Sequence, residues 1–344
     1  MLNVPRPWLL PFSPLYGLIT DLRNFAYEKG FKKSYTADIP VISVGNLSTG
    51  GTGKTPVAEW LLDFLLKNGK KAAYLSRGYG RQTKGFRWVD REQGRVQEFG
   101  DEALQVARKF PQAVVAVCED RKTGIRELVE EKSVELIVLD DAFQHRKVKR
   151  DLDWVVIDAH RLPTHDALLP AGNLRERRKH LRRADLLIIN RVSDPADIPR
   201  IRQELEPFGR PMAFLQPGFQ GVVDFQSGEK QPLESLKNSP VILFTGIGNP
   251  QAFSRQVAQL GATIQAERFF SDHHLFSEKD LRQLRSLVQQ YPDSRLLTTE
   301  KDATRLLGQP WMQEFADLSI AYLPLELNWL EGEELVVEQL AELS

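Results

Sequence analysis

Apolar residues fall along this chain in short unbroken runs separated by amphipathic stretches. Runs at 39–44 (Ile-Pro-Val-Ile-Ser-Val), 72–75, 113–118, 134–139, 154–157 and 185–189 are four to six residues long. Continuous apolar runs, rather than alternation, predict strands covered on both faces and hence a parallel sheet. Between them, 57–67, 103–110 and 124–132 read as helices, and Gly69 stops the first. Residues 213–235 are turn-rich, with Pro217-Gly218 and Ser227-Gly-Glu-Lys-Gln-Pro232, and alternate over Gly221-Val-Val-Asp-Phe225. They predict a linker ribbon. A second series follows: strand 241–244, helix 250–260, a strand near Ile264, helix 278–290 and strand 295–298. The expected organisation is α/β throughout, with a core domain over 37–212 and a smaller C-terminal α/β domain over 236–344.

The first 36 residues fit neither unit. Trp8, Leu9, Leu10, Phe12, Leu15, Tyr16, Leu18, Ile19, Phe25, Tyr27, Phe31 and Tyr35 form an aromatic-rich apolar series interleaved with Arg23, Lys29, Lys32 and Lys33. That pattern suits a helix lying in a membrane interface, and equally a helix packing its apolar side on the domain. No run reaches the ~18 apolar residues of a spanning helix. Pro5, Pro7, Pro11 and Pro14 interrupt any secretory leader. With 46 basic and 46 acidic residues the formal net charge is zero, so no bulk field favours nucleic acid. The single cysteine, Cys118, excludes an internal disulfide framework, fits a reducing compartment and reads as a core residue of the 113–118 run.

The chemistry concentrates behind the first run. Gly45-Asn-Leu-Ser-Thr-Gly-Gly-Thr-Gly-Lys-Thr-Pro56 lies between a predicted strand and a predicted helix, the context of a phosphate-binding loop. Ser48, Thr49, Gly50, Gly51, Thr52 and Gly53 would turn backbone N–H groups toward phosphate oxygens at a helix N-terminus. Lys54 would reach the β/γ-phosphates and the Thr55 hydroxyl would ligate Mg²⁺. Ser48 occupies the position where the motif usually has its first glycine. The run 134–139 ends at Asp140-Asp141, where a strand-terminal carboxylate completes a Mg²⁺ site; adjacent acids there point opposite ways. Asn190-Arg-Val-Ser-Asp194 departs from the guanine-reading N-K-x-D pattern, which argues against a switch GTPase. A P-loop NTPase-like core that handles a nucleoside triphosphate is the expectation.

Several further motifs carry a resemblance over nearly the full length. They are Leu15-Tyr-Gly17, Leu75-Ser-Arg-Gly-Tyr-Gly80, Gly100-Asp-Glu102, Asp140-Asp-Ala-Phe-Gln-His145, Leu169-Pro-Ala-Gly-Asn-Leu-Arg-Glu176, Gly246-Ile-Gly-Asn-Pro250, Phe270-Ser-Asp-His-His274 and Thr298-Thr-Glu-Lys-Asp302. In this order, with the phosphate loop, they resemble the tetraacyldisaccharide 4′-kinase (lipid A 4′-kinase) family of Gram-negative bacteria. Ala142, Asn173 and Ser271 depart from the usual Gly, Pro and Pro, without removing a chemical group.

The resemblance implies transfer of the ATP γ-phosphoryl, with Mg²⁺, to the 4′-hydroxyl of a tetraacylated glucosamine disaccharide 1-phosphate. The protein would sit on the cytoplasmic side of the inner membrane, peripheral or monotopic, with no nucleic acid or obligate protein partner. It implies Asp101 as catalytic base and His273 as its partner, supplied by a C-terminal domain closing over the nucleotide cleft. Asp101 also suits an N-cap, and His273 with His274 could be loop residues or metal ligands. Substrate candidates are Arg77, Arg81 and Arg121 after predicted strands, and Asn173, Arg175 and Glu176 in one loop. The basic run 175–183 could also meet anionic headgroups. The implied lipid substrate favours the interfacial reading of residues 1–36. A kinase of a soluble metabolite and a nucleotide-driven ATPase switch are the competing classes.

Overall fold

The structure, a computed structural model, describes residues 5–131 and 133–343. Residues 1–4 of the expected N-terminal segment, Lys132 at the end of an expected helix, and Ser344 lie outside the described residues.

Fifteen strands among the described residues form two sheets. The large sheet takes β1 (Val41–Gly45), β2 (Ala72–Ser76), β3 (Arg87–Trp88), β4 (Val114–Val117), β5 (Leu136–Asp140), β6 (Leu152–Asp158), β7 (Leu186–Asn190), β8 (Met212–Phe219) and β15 (Leu325–Glu331). The small sheet takes β9 (Val222–Asp224), β10 (Lys230–Gln231), β11 (Pro240–Thr245), β12 (Thr263–Phe269), β13 (Arg295–Thr299) and β14 (Ile320–Leu323). The large sheet runs β15-β8-β7-β6-β1-β5-β2-β4-β3, parallel except at its two edges, β15 and β3. Its central strands are fully buried because alternate residues feed cores on opposite faces. Ile42, Val44, Trp154 and Val156 enter one core, while Val41, Ile137 and Leu139 enter another. The helix Lys54–Lys67 closes the first core with Val57, Ala58, Leu61, Leu62 and Leu65, one apolar stripe at helical spacing. Cys118 is buried in the second.

The chain leaves β1 toward one edge of the sheet, returns to β5 beside it, and continues on the other side through β6. The carboxyl ends of β1 and β5 are thereby neighbours, with Val44 in register with Asp140. This is the crevice where open α/β sheets bind ligands.

Two expectations change. Residues 213–235 are not one linker: β8 belongs to the large sheet, and β9 and β10 pair at the edge of the small one. The expected C-terminal unit also loses its last segment. β15 pairs with β8, and the helix Glu333–Ala341 sends Val336 and Leu340 into the first core.

The N-terminal helix, Ser13–Glu28, is inverted relative to an ordinary surface helix. Ser13, Gly17, Thr20 and Asn24 face the protein and are buried, while Leu15, Leu18, Ile19, Leu22 and Phe25 are exposed. Trp8, Leu10, Phe12 and Phe31 extend the apolar surface beyond both ends of the helix. Packing of the apolar side on the domain, one of the two readings of this segment, does not hold. Among the described residues no helix is long and apolar enough to cross a membrane.

Candidate active site

The loop after β1 is held open by contacts outside itself. Gly50 and Gly53 adopt left-handed φ values of 89° and 87°, and a Cβ on Gly53 would meet the Asn190 amide at 2.0 Å. Asn190, at the end of β7, donates to the Thr52 carbonyl at 3.0 Å, and Arg161 donates to the Thr49 carbonyl at 2.9 Å. Asn190 therefore braces the phosphate loop. On the loop's other flank the Thr49 amide donates to the Asn173 carbonyl at 2.8 Å, and Ser48 bridges Leu174. Lys54 opens the following helix, whose first turn holds no acidic side chain to neutralise its positive end.

The two acids after β5 separate as strand geometry requires. Asp140 Oδ2 accepts from the Thr55 hydroxyl at 3.1 Å and from the buried Tyr74 hydroxyl at 2.6 Å. Asp141, with φ 50°, instead places one oxygen 2.7 Å from Arg175 and 3.7 Å from Lys54. Burial and the nearby Glu102 charge push the Asp140 carboxyl up to about 6, while Lys54 only partly opposes them. Burial also acts on Asp141, yet Lys54 and Arg175 outweigh it and hold that carboxyl below its ordinary value. A hydroxyl beside a buried carboxylate short of positive charge is a hard-oxygen donor set that fits Mg²⁺. Asp141, expected near the metal as well, instead faces the lysine and the arginine.

Across the crevice, Gly100 (φ 84°) starts the helix Asp101–Lys109; a Cβ there would meet the Tyr79 carbonyl at 2.7 Å. The N-cap is Gly100, without a side-chain cap, so Asp101 is not the capping residue. Asp101 Oδ1 accepts from the Glu102 amide at 2.9 Å, and Oδ2 lies 2.9 Å from His273 Nδ1 of the C-terminal unit. Arg305 and Lys301 reach the same Oδ2 at 2.6 and 3.4 Å. Burial alone would raise the Asp101 carboxyl; the His273 hydrogen bond and the Lys301 and Arg305 charges hold it far below the carboxylate range. His273 sits in a left-handed conformation (φ 58°) with its amide donating to the Gly246 carbonyl at 3.1 Å. Its neighbour is committed elsewhere: His274 meets Asp280 at 3.1 Å and stacks on Phe270. More contacts between the units line the same helix. Arg108 donates to the Thr304 carbonyl, and Lys109 bridges Glu59 at 2.7 Å and Glu300 at 2.9 Å.

The substrate candidates divide. Arg77 is exposed beyond β2, and Arg175 is half-buried beside the phosphate loop. Arg121 is buried, donating to the Cys118 and Asp140 carbonyls, so it braces the strand end rather than facing a ligand. Glu176 is fully buried between Arg23 and Arg183, each at 2.7 Å, and ties the N-terminal helix down. Asn173 donates to Asp166, which braces its own loop, and Arg81 pairs with Glu119. Sequence reasoning missed Tyr74, Lys301 and Arg305. The last two lie four residues apart on the helix Glu300–Leu306, a spacing that puts them on one face; Thr298-Thr-Glu-Lys-Asp302 was the visible signal.

Loop, helix end and strand-terminal acid, set on adjacent parallel strands, define the nucleotide site of a P-loop NTPase-like protein. The model of the LpxK family, tetraacyldisaccharide-1-P 4′-kinase, matches residues 5–343, and the chain belongs to that family. Among its relatives, the tetraacyldisaccharide 4′-kinase of Chlorobaculum parvum is 39% identical over 339 residues, 95% of this chain and 91% of the relative. That of Bacteroides thetaiotaomicron is 37% identical over 348 residues, 95% and 90% of the two chains. The crystal structure of LpxK from Aquifex aeolicus in complex with ATP superposes with a TM-score of 0.78 at 35% identity, covering 98% of this chain and 99% of that one. These likenesses do not favour a soluble-metabolite kinase or an ATPase switch.

Proposed function

We propose that this protein transfers the γ-phosphoryl of ATP to the 4′-hydroxyl of tetraacyldisaccharide 1-phosphate, at the cytoplasmic face of the inner membrane. The observation that carries the chemistry is the Asp101–His273 pair, formed from two structural units at 2.9 Å. The loop over 48–53 and Lys54 bind and orient the triphosphate, and Thr55 with Asp140 would hold Mg²⁺. The chemistry such an ion would supply there is positive charge against the phosphate oxygens. Asp101 orients the acceptor hydroxyl and takes its proton, and His273 fixes the carboxylate and balances its charge. A strongly paired carboxylate is a weak base, but a loose phosphoryl-transfer transition state needs positioning more than basicity. Asp141 aligns Lys54 and Arg175, so Arg175 and the exposed Arg77 are the cations best disposed toward a phosphorylated acceptor.

The inverted N-terminal helix supports the membrane assignment, since its outward apolar face with the exposed Lys29, Lys32 and Lys33 beyond its end suits a lipid interface. The test is incubation with labelled ATP, Mg²⁺ and tetraacyldisaccharide 1-phosphate in mixed micelles. A bisphosphorylated lipid is expected; ATP consumption without labelled lipid would refute the proposal.

A further inference from the structure

We infer that Arg305 is a positioning residue for phosphoryl transfer: its guanidinium, arriving from the C-terminal unit, sets the Asp101 carboxylate in the orientation that meets His273. The inference rests on the reading of Asp101 as base. Arg305 has 0% of its side chain exposed, and its nitrogens are divided among three acceptor groups, with Nη2 also 3.3 Å from His273 Nδ1. Nε and Nη2 both point at Asp101 Oδ2, at 3.2 and 2.6 Å. Nη1 donates to the Gly246 carbonyl and to Asp302 Oδ1, each at 2.7 Å. Asp302 is immobilised in turn by the Thr245 hydroxyl at 2.6 Å, the Thr299 hydroxyl at 2.8 Å and the Gly246 amide at 3.1 Å. A planar, always charged fork clamped on one side is a rigid pointer on the other. Lysine, a single point charge, could supply the charge but not the two-nitrogen direction.

The way Asp101 is approached distinguishes this from a general tie between the units. Three nitrogens, one from His273 and two from Arg305, converge on Oδ2. Oδ1 accepts, among the described residues, the neutral Glu102 amide. The clamp thus leaves Oδ1 as the oxygen not engaged by any cation, and fixes which oxygen faces the acceptor. The charged and titratable groups around the carboxylate are Arg305 and Lys301 from one helix, His273 with Asp272 behind it, the neighbouring Glu102, and Asp302 across the guanidinium. Together His273, Lys301 and Arg305 overcome burial and keep Asp101 ionised.

The test compares Arg305→Gln, Arg305→Lys and Asp101→Ala for kcat, KM for ATP, thermal midpoint and the pH profile of kcat. Arg305→Gln is expected to lose roughly 10- to 10²-fold in kcat with KM for ATP within about 2-fold. Its acidic limb should rise toward the ordinary carboxylate range of about pH 4 as Asp101 loses two donors. Arg305→Lys should return that limb toward wild type while keeping about a 10-fold loss in kcat, because charge is restored and direction is not. A lowered thermal midpoint with wild-type kcat and an unmoved acidic limb would overturn the inference. Should Arg305→Gln fail to fold, wild-type kcat in Arg305→Lys would overturn it equally. An active Asp101→Ala would remove the base reading itself. An inactive Asp101→Ala beside a wild-type Arg305→Gln would remove Arg305 alone.

Discussion

Replacing Leu15, Leu18 and Leu22 together by serine tests the outward face of the N-terminal helix. These leucines are 52–59% exposed and share one stripe, so the fold gains little from them. The residues that seat the helix, Gly17, Thr20 and Asn24, and its ties from Tyr16 to the Arg175 carbonyl and from Arg23 to Glu176, are untouched. Full burial of a leucine is worth about 2 kcal/mol, so a half-exposed one entering an apolar medium gains about 1 kcal/mol. The triple variant should lose about 3 kcal/mol of membrane affinity, roughly 10²-fold in the partition constant. The assay is co-sedimentation with anionic vesicles, read beside the thermal midpoint in detergent-free buffer. Binding should fall by that factor, the midpoint should stay within ~2 °C, given that surface changes cost little, and KM for micellar lipid should rise more than KM for ATP. Unchanged vesicle binding with the fold intact would refute the interfacial reading.

Lys54→Ala should cost about 10²-fold or more in kcat with the fold retained, and near wild-type turnover would sink the phosphate-loop assignment. Asp101→Ala and His273→Ala should each lose about 10²- to 10⁴-fold in kcat, and the double variant should be little worse than the poorer single one. Multiplicative losses in that cycle would mean the two act independently. At the contact between the units, one lysine, Lys109, serves two buried carboxylates. Burial and the Glu59 charge push Glu300 up to about 7. A raised carboxyl contributes stability that is present below its unfolded value near 4.5 and is lost as pH rises toward 7. Glu300→Gln should therefore flatten a loss on the order of 3 kcal/mol across that window, measured as unfolding free energy at pH 5 and pH 8; an unchanged pH slope would show that Glu300 is not the titrating group.

The interior of the large sheet was legible because each central strand is covered on both faces and spells itself as an apolar run. The C-terminal third was less so. β15 is half-exposed and pairs with β8, more than a hundred residues earlier, which no local pattern records. The helix Glu300–Leu306 buries Asp302, Thr304 and Arg305 besides Ala303 and Leu306, so its inward face carries little apolar signal. Ser13–Glu28 misleads in the opposite sense, since its buried stripe is its polar one. At the site, Lys54, Thr55, Asp101, Asp140 and His273 were visible as motif positions, and the closeness of Thr55 to Asp140 follows from strand order. Arg121 and Glu176 looked like ligand residues because buried charge is uncommon, and their partners are backbone carbonyls and arginines that sequence does not pair. Arg305 was hidden for the same reason.

The segment 166–176 touches two surfaces at once. Its backbone is stitched to the phosphate loop through Thr49 to Asn173 and Arg175 to Leu47. Its carbonyls at 168 and 175 accept from Ser13 and Tyr16 of the N-terminal helix. Nucleotide loop and outward apolar face are therefore parts of one block, and the distance between them is a dimension of the protein. Were the helix to rest in a lipid surface, that dimension would be a gauge of height. The γ-phosphoryl would be presented at a fixed elevation above the acyl chains, and an acceptor hydroxyl must stand at that elevation to react. Acceptors would then be sorted by how far their headgroup projects as much as by what it displays.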